Sequence, residues 1–147
     1  MALLELRGVV RQFQTGDASI AALRGIDLSI EAGEFVAIVG PSGCGKSTLL
    51  NLLGCLDRPS AGSYKVGGRD TSTLDAEALA ALRREHFGFV FQRYHLLPQL
   101  DALDNVEVPG IYAGLPTKER KERATALLTR LGTVSYTHLT LPTNREV

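Results

Sequence analysis

The chain has 147 residues, of which 44% are hydrophobic, which suffices for the core of one domain or part of one. Its 16 basic and 16 acidic residues cancel, so no overall field attracts it to nucleic acid or to an anionic membrane. Two cysteines and three histidines form no metal-site pattern, and no apolar run approaches the roughly 18 residues that cross a bilayer, which predicts a soluble protein of a reducing compartment.

The first third of the chain alternates strand patterns with turns. Residues 3–13 and 20–30 are strand-like runs on either side of a polar turn, and they predict a hairpin. The short apolar run at 35–40 is typical of a parallel strand that is covered on both faces. From Ser47 onward the sequence is apolar on most of a helical circumference, which predicts a helix buried beneath a sheet.

Helical and strand patterns continue in the middle of the chain. Residues 63–68 predict a short strand, residues 74–86 predict a helix with Asp75 as its N-cap, and residues 87–92 predict another strand. The apolar face of this helix carries Leu79 and Leu82.

A last helix is predicted between Thr117, which we expect to cap it, and Gly132, which we expect to end it. Apolar residues in this segment recur at the i, i+3, i+4, i+7 spacing of a helix face. These residues are Ala124, Leu127, Leu128 and Leu131.

Residues 40–48, GPSGCGKST, fit the phosphate-binding pattern G-x-x-x-x-G-K-[ST] between a predicted strand and a predicted helix. The glycines allow backbone N–H groups to surround the α- and β-phosphates of a nucleotide, and the positive end of the helix assists. Lys46 adds a charge between the β- and γ-phosphates, and Ser47 is placed to ligate Mg²⁺. The predicted nucleotide contacts are Gly40, Pro41, Ser42, Gly43, Cys44, Gly45, Lys46, Ser47 and Thr48.

A phosphate loop by itself leaves transporter ATPases, GTPases, kinases and helicases open. The segment GIDLSIEAGEFVAIVGPSGCGKSTLLNLLGCLDRPSAG, followed by FGFVFQRYHLLP and NVEVP, resembles the ATP-binding subunit of ABC transporters over residues 3–132. Within that family, LRREHFGFVFQRYHLL and NVEVPGIYAGL look most like the macrolide-export type, in which the ATPase is fused ahead of a permease; lipoprotein-releasing ATPases are near relatives. The resemblance implies an α/β fold, the P-loop NTPase core of an ABC-type ATPase with an N-terminal antiparallel β subdomain, here incomplete.

The same resemblance implies roles for residues outside the loop. Gln92 matches the glutamine that contacts Mg²⁺ and the attacking water, although by itself it is only a polar residue at a strand end. Phe13 matches the aromatic residue that stacks on the adenine of ATP, although a strand-end phenylalanine is more often a core residue. The apolar residues 94–97 (Tyr94 to Leu97) suggest docking against a membrane permease at the cytoplasmic side of the bacterial inner membrane, with local packing as the alternative.

ABC ATPases hydrolyse ATP between two ATP-binding subunits, and the sequence lacks several parts of that machinery. The 147 residues contain no LSGGQ signature, no second acidic strand end with a catalytic glutamate and no later catalytic histidine. The parent protein is expected to be an ATP hydrolase. We expect this chain alone to be unstable, to bind ATP weakly and not to turn it over, because sheet strands would lack neighbours.

Residues 133–147 follow neither helical nor clean strand periodicity. Codons for Val134 to Thr143 can be written GTCTCTTATACACATCTGACGCTGCCGACG, which is identified as a transposon-based sequencing-library adapter, and the flanking adapter bases fit the neighbouring residues. We therefore predict that residues 1–132 are the N-terminal part of the ATP-binding domain and that residues 133–147 are adapter translated as protein. Different synonymous codons in the source DNA would contradict this, leaving an unusual loop-and-strand terminus as the alternative.

Three other functions can be compared with the residues alone. A GTPase would carry an N-K-x-D guanine motif, which the sequence lacks, whereas a small P-loop kinase fits only the first fifty residues. A non-catalytic nucleotide-binding or dimerisation module is the third possibility, and ATP-driven self-association would test it.

Overall fold

The computed structural model describes residues 2–16, 18–92 and 95–132, and it divides the chain into two compact units, residues 1–89 and residues 90–147. The first unit holds four strands, one turn of 3₁₀ helix (Thr71–Thr73) and two helices; the second holds two helices. In chain order they are β1 (Ala2–Thr15), β2 (Ala18–Glu31), α1 (Lys46–Leu53), β3 (Ala61–Val66), β4 (Arg69–Asp70), α2 (Ala76–His86), α3 (Ala102–Tyr112) and α4 (Thr117–Arg130).

The first unit is built on an antiparallel sheet with the strand order β2-β1-β3-β4. The predicted hairpin is confirmed as β1 paired with β2, and the predicted strand at 63–68 is confirmed as β3. The β1–β2 ladder shifts register at several places, including one between Arg11 and Gln12. Such bulges bend a strand and change where its side chains point.

The core of the first unit lies between this sheet and the two helices. Removing these apolar side chains from water stabilises the unit by roughly 25 cal/mol for each Å² that is buried. The sheet and helices contribute Leu6, Val9, Leu23, Leu52, Leu53, Tyr64, Val66, Leu79 and Leu82.

Helix α1 follows the glycine-rich loop as predicted, but the expectation that it is buried on most sides is wrong. Leu52 is 0% exposed, whereas Leu50 on the same helix is 56% exposed. The reason is that the helix packs on one face of one sheet. Among the described residues of the first unit, no further layer covers its outer face.

The strands predicted at 35–40 and 87–92 are not formed, since both segments are irregular chain. Phe35 is 96% exposed and Val39 is 89% exposed. A strand exists only through hydrogen bonds to a neighbouring strand, and the β ladders of the described residues include neither segment. The apolar pattern therefore predicts a buried strand, but the ladder that would define it is absent from the described residues.

Helix α2 confirms the prediction for residues 74–86 in position and in cap. The Asp75 carboxylate accepts a hydrogen bond of 2.8 Å from the Ala78 amide, which satisfies one of the free N–H groups of the first turn. Leu79 and Leu82 are buried as expected.

Helix α4 confirms the predicted helix but not its predicted cap. Pro116 is the N-cap residue and makes no side-chain capping bond, while Thr117 is the first helical residue. The Thr117 hydroxyl accepts a hydrogen bond from the Arg120 guanidinium at 3.3 Å.

The apolar face of α4 is only partly buried. Ala124 and Leu128 are buried, whereas Leu127 is 48% exposed and Leu131 is 75% exposed. Gly132 has a left-handed φ of 70° and its amide donates to the Thr129 carbonyl at 3.0 Å, so it ends the helix as predicted.

Helix α3 was not predicted, because Val106, Val108 and Pro109 all disfavour a helix interior. It starts at an Asp101 N-cap, whose carboxylate accepts from the Asp104 amide at 2.7 Å. Asp101 is a residue type that is common at the N-cap of a helix, so it is the feature of the sequence that indicates where this helix begins. Helices α3 and α4 pack together, and the buried Glu107 accepts a hydrogen bond of 3.4 Å from Arg120.

Tyr64 provides a test of the core through pH. Its buried hydroxyl donates to the Leu53 carbonyl at the end of α1. Burial is the main cause that raises the pKa of Tyr64 above its ordinary value near 10, and Cys55 adds to it. Because the folded pKa is raised, the stabilisation is fully present below the ordinary pKa and is lost as the pH rises past it.

We therefore expect the free energy of unfolding to fall above about pH 10, where the tyrosine ionises in the unfolded chain only. Tyr64→Phe should lower the stability at pH 7 by about 1–2 kcal/mol, since the Leu53 carbonyl loses its donor, and should flatten the alkaline decline. Urea unfolding of both chains between pH 7 and pH 11 measures both effects. Parallel curves for the two chains would contradict the assignment.

Candidate phosphate-binding site

The glycine-rich loop at 40–45 leads directly into helix α1 and rests against strand β2. Gly45 has a φ of 94°, which side-chain-bearing residues rarely adopt. A Cβ atom at this position would lie 2.6 Å from the Ala22 carbonyl oxygen and 3.2 Å from Leu23. The glycine therefore permits both the turn of the loop and its close approach to the hairpin.

The Lys46 side chain folds back across the loop. Its ammonium group donates hydrogen bonds to the carbonyl oxygens of Gly40 at 2.8 Å and Pro41 at 2.6 Å. The Cys44 sulfur lies 3.8 Å from the same nitrogen. Both oxygen partners are uncharged, and within residues 2–16, 18–92 and 95–132 no carboxylate forms an ion pair with this ammonium.

The first turn of helix α1 places backbone N–H groups, which have no partner within the helix, next to the Lys46 charge. The first intrahelical bond runs from the Leu49 amide to the Gly45 carbonyl at 2.8 Å, so the amides of residues 46–48 have no partner within the helix. The first turn contains no acidic residue, and the N-cap glycine offers no side chain. In contrast, aspartate carboxylates cap α2 and α3. The positive end of α1 is thus open to an anion.

The predicted loop residues form one continuous, accessible surface. Gly45, Lys46 and Thr48 are half-buried. The exposed residues are Gly40, Pro41, Ser42, Gly43, Cys44 and Ser47. A side chain at Gly40 would meet the Cys44 sulfur at 2.7 Å, so these two residues pack against each other.

Of the two residues predicted to ligate magnesium, Ser47 lies in the first turn of α1 with its side chain exposed. Gln92 lies at an exposed bend in the second unit, and its role stays a prediction. Among residues 2–16, 18–92 and 95–132, no group of three or more His, Cys, Asp and Glu side chains is arranged to hold a metal ion. A serine hydroxyl together with phosphate oxygens is the hard donor set that Mg²⁺ prefers.

Phe13 lies near the end of β1, opposite Ile20 of β2, and is 40% exposed. It is therefore not a core residue. The guanidinium carbon of Arg11 lies 4.5 Å from the centre of its ring. Sequence reasoning missed Arg11, because the acidic partner that holds it, Asp57, is 46 residues away in the chain.

The apolar segment predicted to contact a permease is described only in part. Tyr94 lies outside the described residues, as do residues 133–147 with their predicted adapter origin. Leu96 is 43% exposed and Leu97 is 41% exposed, and the His95 ring packs edge-on against Phe91 at 4.9 Å. In the part of the chain that the structure covers, no helix has both the length and the apolar character needed to span a bilayer.

The sequence profile of the family described as ABC transporter matches residues 23–145. The macrolide export ATP-binding/permease protein MacB of Rhodopseudomonas palustris (strain BisB18) is 65% identical over 127 residues, which are 86% of this chain and 19% of that protein. MacB 1 of Yersinia pestis bv. Antiqua (strain Antiqua) is 63% identical over 131 residues, 89% of this chain and 20% of that protein. The chain spans about a fifth of the length of these curated relatives.

Solved structures that resemble this chain are also ATP-binding cassettes of ABC transporters. A dimeric, post-hydrolysis ATP-binding cassette, MJ0796 bound to ADP and Pi, has a TM-score of 0.82 and 39% identity, covering 94% of this chain and 62% of the cassette. Another dimeric structure of this bacterial ABC transporter cassette has a TM-score of 0.83 and 40% identity, covering 91% and 60%. The expected fold class, a partial ABC-type ATPase core with an antiparallel β subdomain, is therefore confirmed.

Proposed function

Because the chain belongs to the ABC transporter family and has the fold of its ATP-binding cassette, we propose that it binds Mg²⁺–ATP as part of an ATPase that powers export. The observation that carries the proposal is the uncompensated Lys46 ammonium, held by the carbonyls of Gly40 and Pro41 at the start of a helix with free amides. A triphosphate supplies the negative charge that this arrangement lacks.

The proposed subclass is the macrolide-export type. Relatives that are 62–65% identical over most of the chain carry that name, and they include proteins of several bacterial genera. Identity at this level over a cassette supports the same kind of transporter.

Magnesium fits the residues at the loop. We propose that the Ser47 hydroxyl would hold the ion together with phosphate oxygens. For Gln92 the proposal of a Mg²⁺ contact is separate, and its match to the glutamine of the ABC family supports it. A bound Mg²⁺ ion would supply charge that offsets part of the negative charge of the phosphates. The protein residues do the rest: the amides of residues 46–48 orient the phosphates, and Lys46 holds the terminal one.

We further propose two partners, a transmembrane permease that contacts residues 94–97 and a second ATP-binding subunit. The exposure of Leu96 and Leu97 supports the first, because apolar side chains of a loop gain from burial against another surface. The dimeric cassettes among the solved relatives support the second. Such a protein would act at the cytoplasmic side of the bacterial inner membrane, and turnover would need residues beyond these 147.

Calorimetric titration of the chain with ATP, with Mg²⁺ or with EDTA, tests the proposed function. We expect Mg²⁺-dependent binding, and we expect Ser47→Ala to weaken it by about tenfold with Mg²⁺ but not with EDTA, since only the ion uses the hydroxyl. Ser29→Ala, which alters an exposed serine of strand β2 outside the phosphate loop, is the matched control. Absence of ATP binding, or identical behaviour of the two serine variants, would refute the proposal.

A further inference from the structure

Arg11 packs directly on the aromatic ring of Phe13. Its guanidinium carbon lies 4.5 Å from the ring centre, within the range of a cation–π interaction. Phe13 as a whole residue is nevertheless 40% exposed. One part of the ring is therefore covered by a cation while the remainder is accessible to a flat ligand.

The Arg11 side chain is held in place from three sides. Its Nε donates to the Asp57 carboxylate at 2.6 Å, and one terminal nitrogen donates to the Ser60 hydroxyl at 3.4 Å and the Gln12 carbonyl at 3.3 Å. The Ser60 hydroxyl also accepts from the Gln12 amide at 3.0 Å. Only about a quarter of the Arg11 and Asp57 side chains is exposed, so solvent screens this ion pair less than a fully exposed one.

Asp57 is itself fixed to the end of helix α1. Its amide donates to the Asn51 carbonyl at 3.3 Å, and the preceding Leu56 amide donates to the same oxygen at 2.8 Å. Helix α1 carries the phosphate loop at its other end. The ion pair between Arg11 and Asp57 thus joins the strand that carries Phe13 to the helix that starts at the phosphate loop.

We propose that Arg11 is a positioning residue for the base of the nucleotide: held by Asp57, it fixes the Phe13 ring in the orientation on which the base stacks. The inference rests on the proposed function and deepens it. An exposed ring at a strand end loses rotamer freedom when a ligand stacks on it, and that loss opposes binding. A guanidinium that already orders the ring removes part of this cost and adds a favourable charge behind the stacked pair.

This role predicts an effect on the base and not on the phosphates. Inorganic tripolyphosphate carries the phosphate chain of ATP without the base, so it binds the loop but cannot stack on Phe13. A purely structural role for Arg11 would change the affinity for both ligands equally. The ratio of the two affinities therefore separates positioning from general destabilisation.

The experiment is a calorimetric titration of the chain with ATP and with tripolyphosphate, both with Mg²⁺. We expect Arg11→Met to weaken ATP binding by about threefold to tenfold and to leave tripolyphosphate binding unchanged. Asp57→Asn should act in the same direction and serves if Arg11→Met does not fold, as judged by circular dichroism. Arg7→Met is the matched control, because Arg7 lies on the same strand, has a side chain that is 74% exposed and forms an ion pair with its near neighbour Glu5.

In a Phe13→Leu background, Arg11→Met should have no further effect on ATP binding, since the ring that it orients is gone. Equal losses for both ligands, no loss for either, or an undiminished loss in the Phe13→Leu background would overturn the inference while leaving the proposed function intact. If the unaltered chain binds neither ligand, the proposed function fails and this inference fails with it.

Discussion

Replacing Lys46 with alanine is expected to weaken binding of Mg²⁺–ATP by about a hundredfold while changing the thermal unfolding of the chain little. An ammonium 4 Å from a phosphate charge contributes roughly 4 kcal/mol at an effective dielectric near 20. If about a third of this is lost to desolvation, the remainder corresponds to about two orders of magnitude in affinity. Folding is spared because the described contacts of the ammonium are to atoms of Gly40, Pro41 and Cys44 within the same exposed loop.

Calorimetric titration and a melting curve of each variant measure these two effects. Lys65→Ala is the matched control, since Lys65 lies in β3 of the same unit and away from the loop sequence. A Lys46→Ala chain that binds ATP as tightly as the control would remove the physical basis of the site. Phosphate release by the unaltered chain is expected to equal that of the Lys46→Ala chain, and clear excess release would show that these 147 residues suffice for turnover.

Leu52→Ala is expected to destabilise the first unit by about 2–5 kcal/mol, whereas Leu50→Ala should cost less than about 0.5 kcal/mol. Both residues lie in helix α1, so both changes alter helix propensity by the same amount. They differ in burial, because Leu52 is 0% exposed in the core and Leu50 is 56% exposed. The difference between the two variants therefore isolates the contribution of core packing.

Urea unfolding of the two variants under the same conditions gives this difference directly. A loss of about 2–5 kcal/mol is comparable with the whole free energy of unfolding of many small domains. We therefore expect a measurable fraction of the Leu52→Ala variant to be unfolded even at low urea concentration. Equal midpoints for the two variants would mean that α1 does not pack on the sheet in the manner described.

Features with a local physical cause were predictable from the sequence. The hairpin is specified by a polar turn between two strand-like runs, α2 by an aspartate cap, and the end of α4 by Gly132. The phosphate loop is equally local, since its glycines, Lys46 and the start of α1 are adjacent in the chain. Each of these depends on contacts over a few residues, which a short pattern records.

Features that depend on distant residues were not predictable. The apolar run at 35–40 indicates a buried strand, but a ladder requires a partner that the pattern does not name. The exposure of Leu50 depends on how many layers cover α1. Helix α3 was not predicted because proline usually interrupts a helix, whereas Pro109 lies inside this one. The contact between Arg11 and Asp57 joins residues 46 positions apart, and nothing in the intervening sequence indicates it.

The close fit of Gly45 against the Ala22 carbonyl means that the phosphate loop is not a portable peptide. At Gly45 the loop lies directly against strand β2, which ends at Glu31, well before the loop begins. Grafting residues 40–48 onto another protein scaffold would therefore also require a backbone segment in the position that β2 has here. Without such a backbone segment, the grafted loop would keep its glycines and its lysine but would adopt a different conformation.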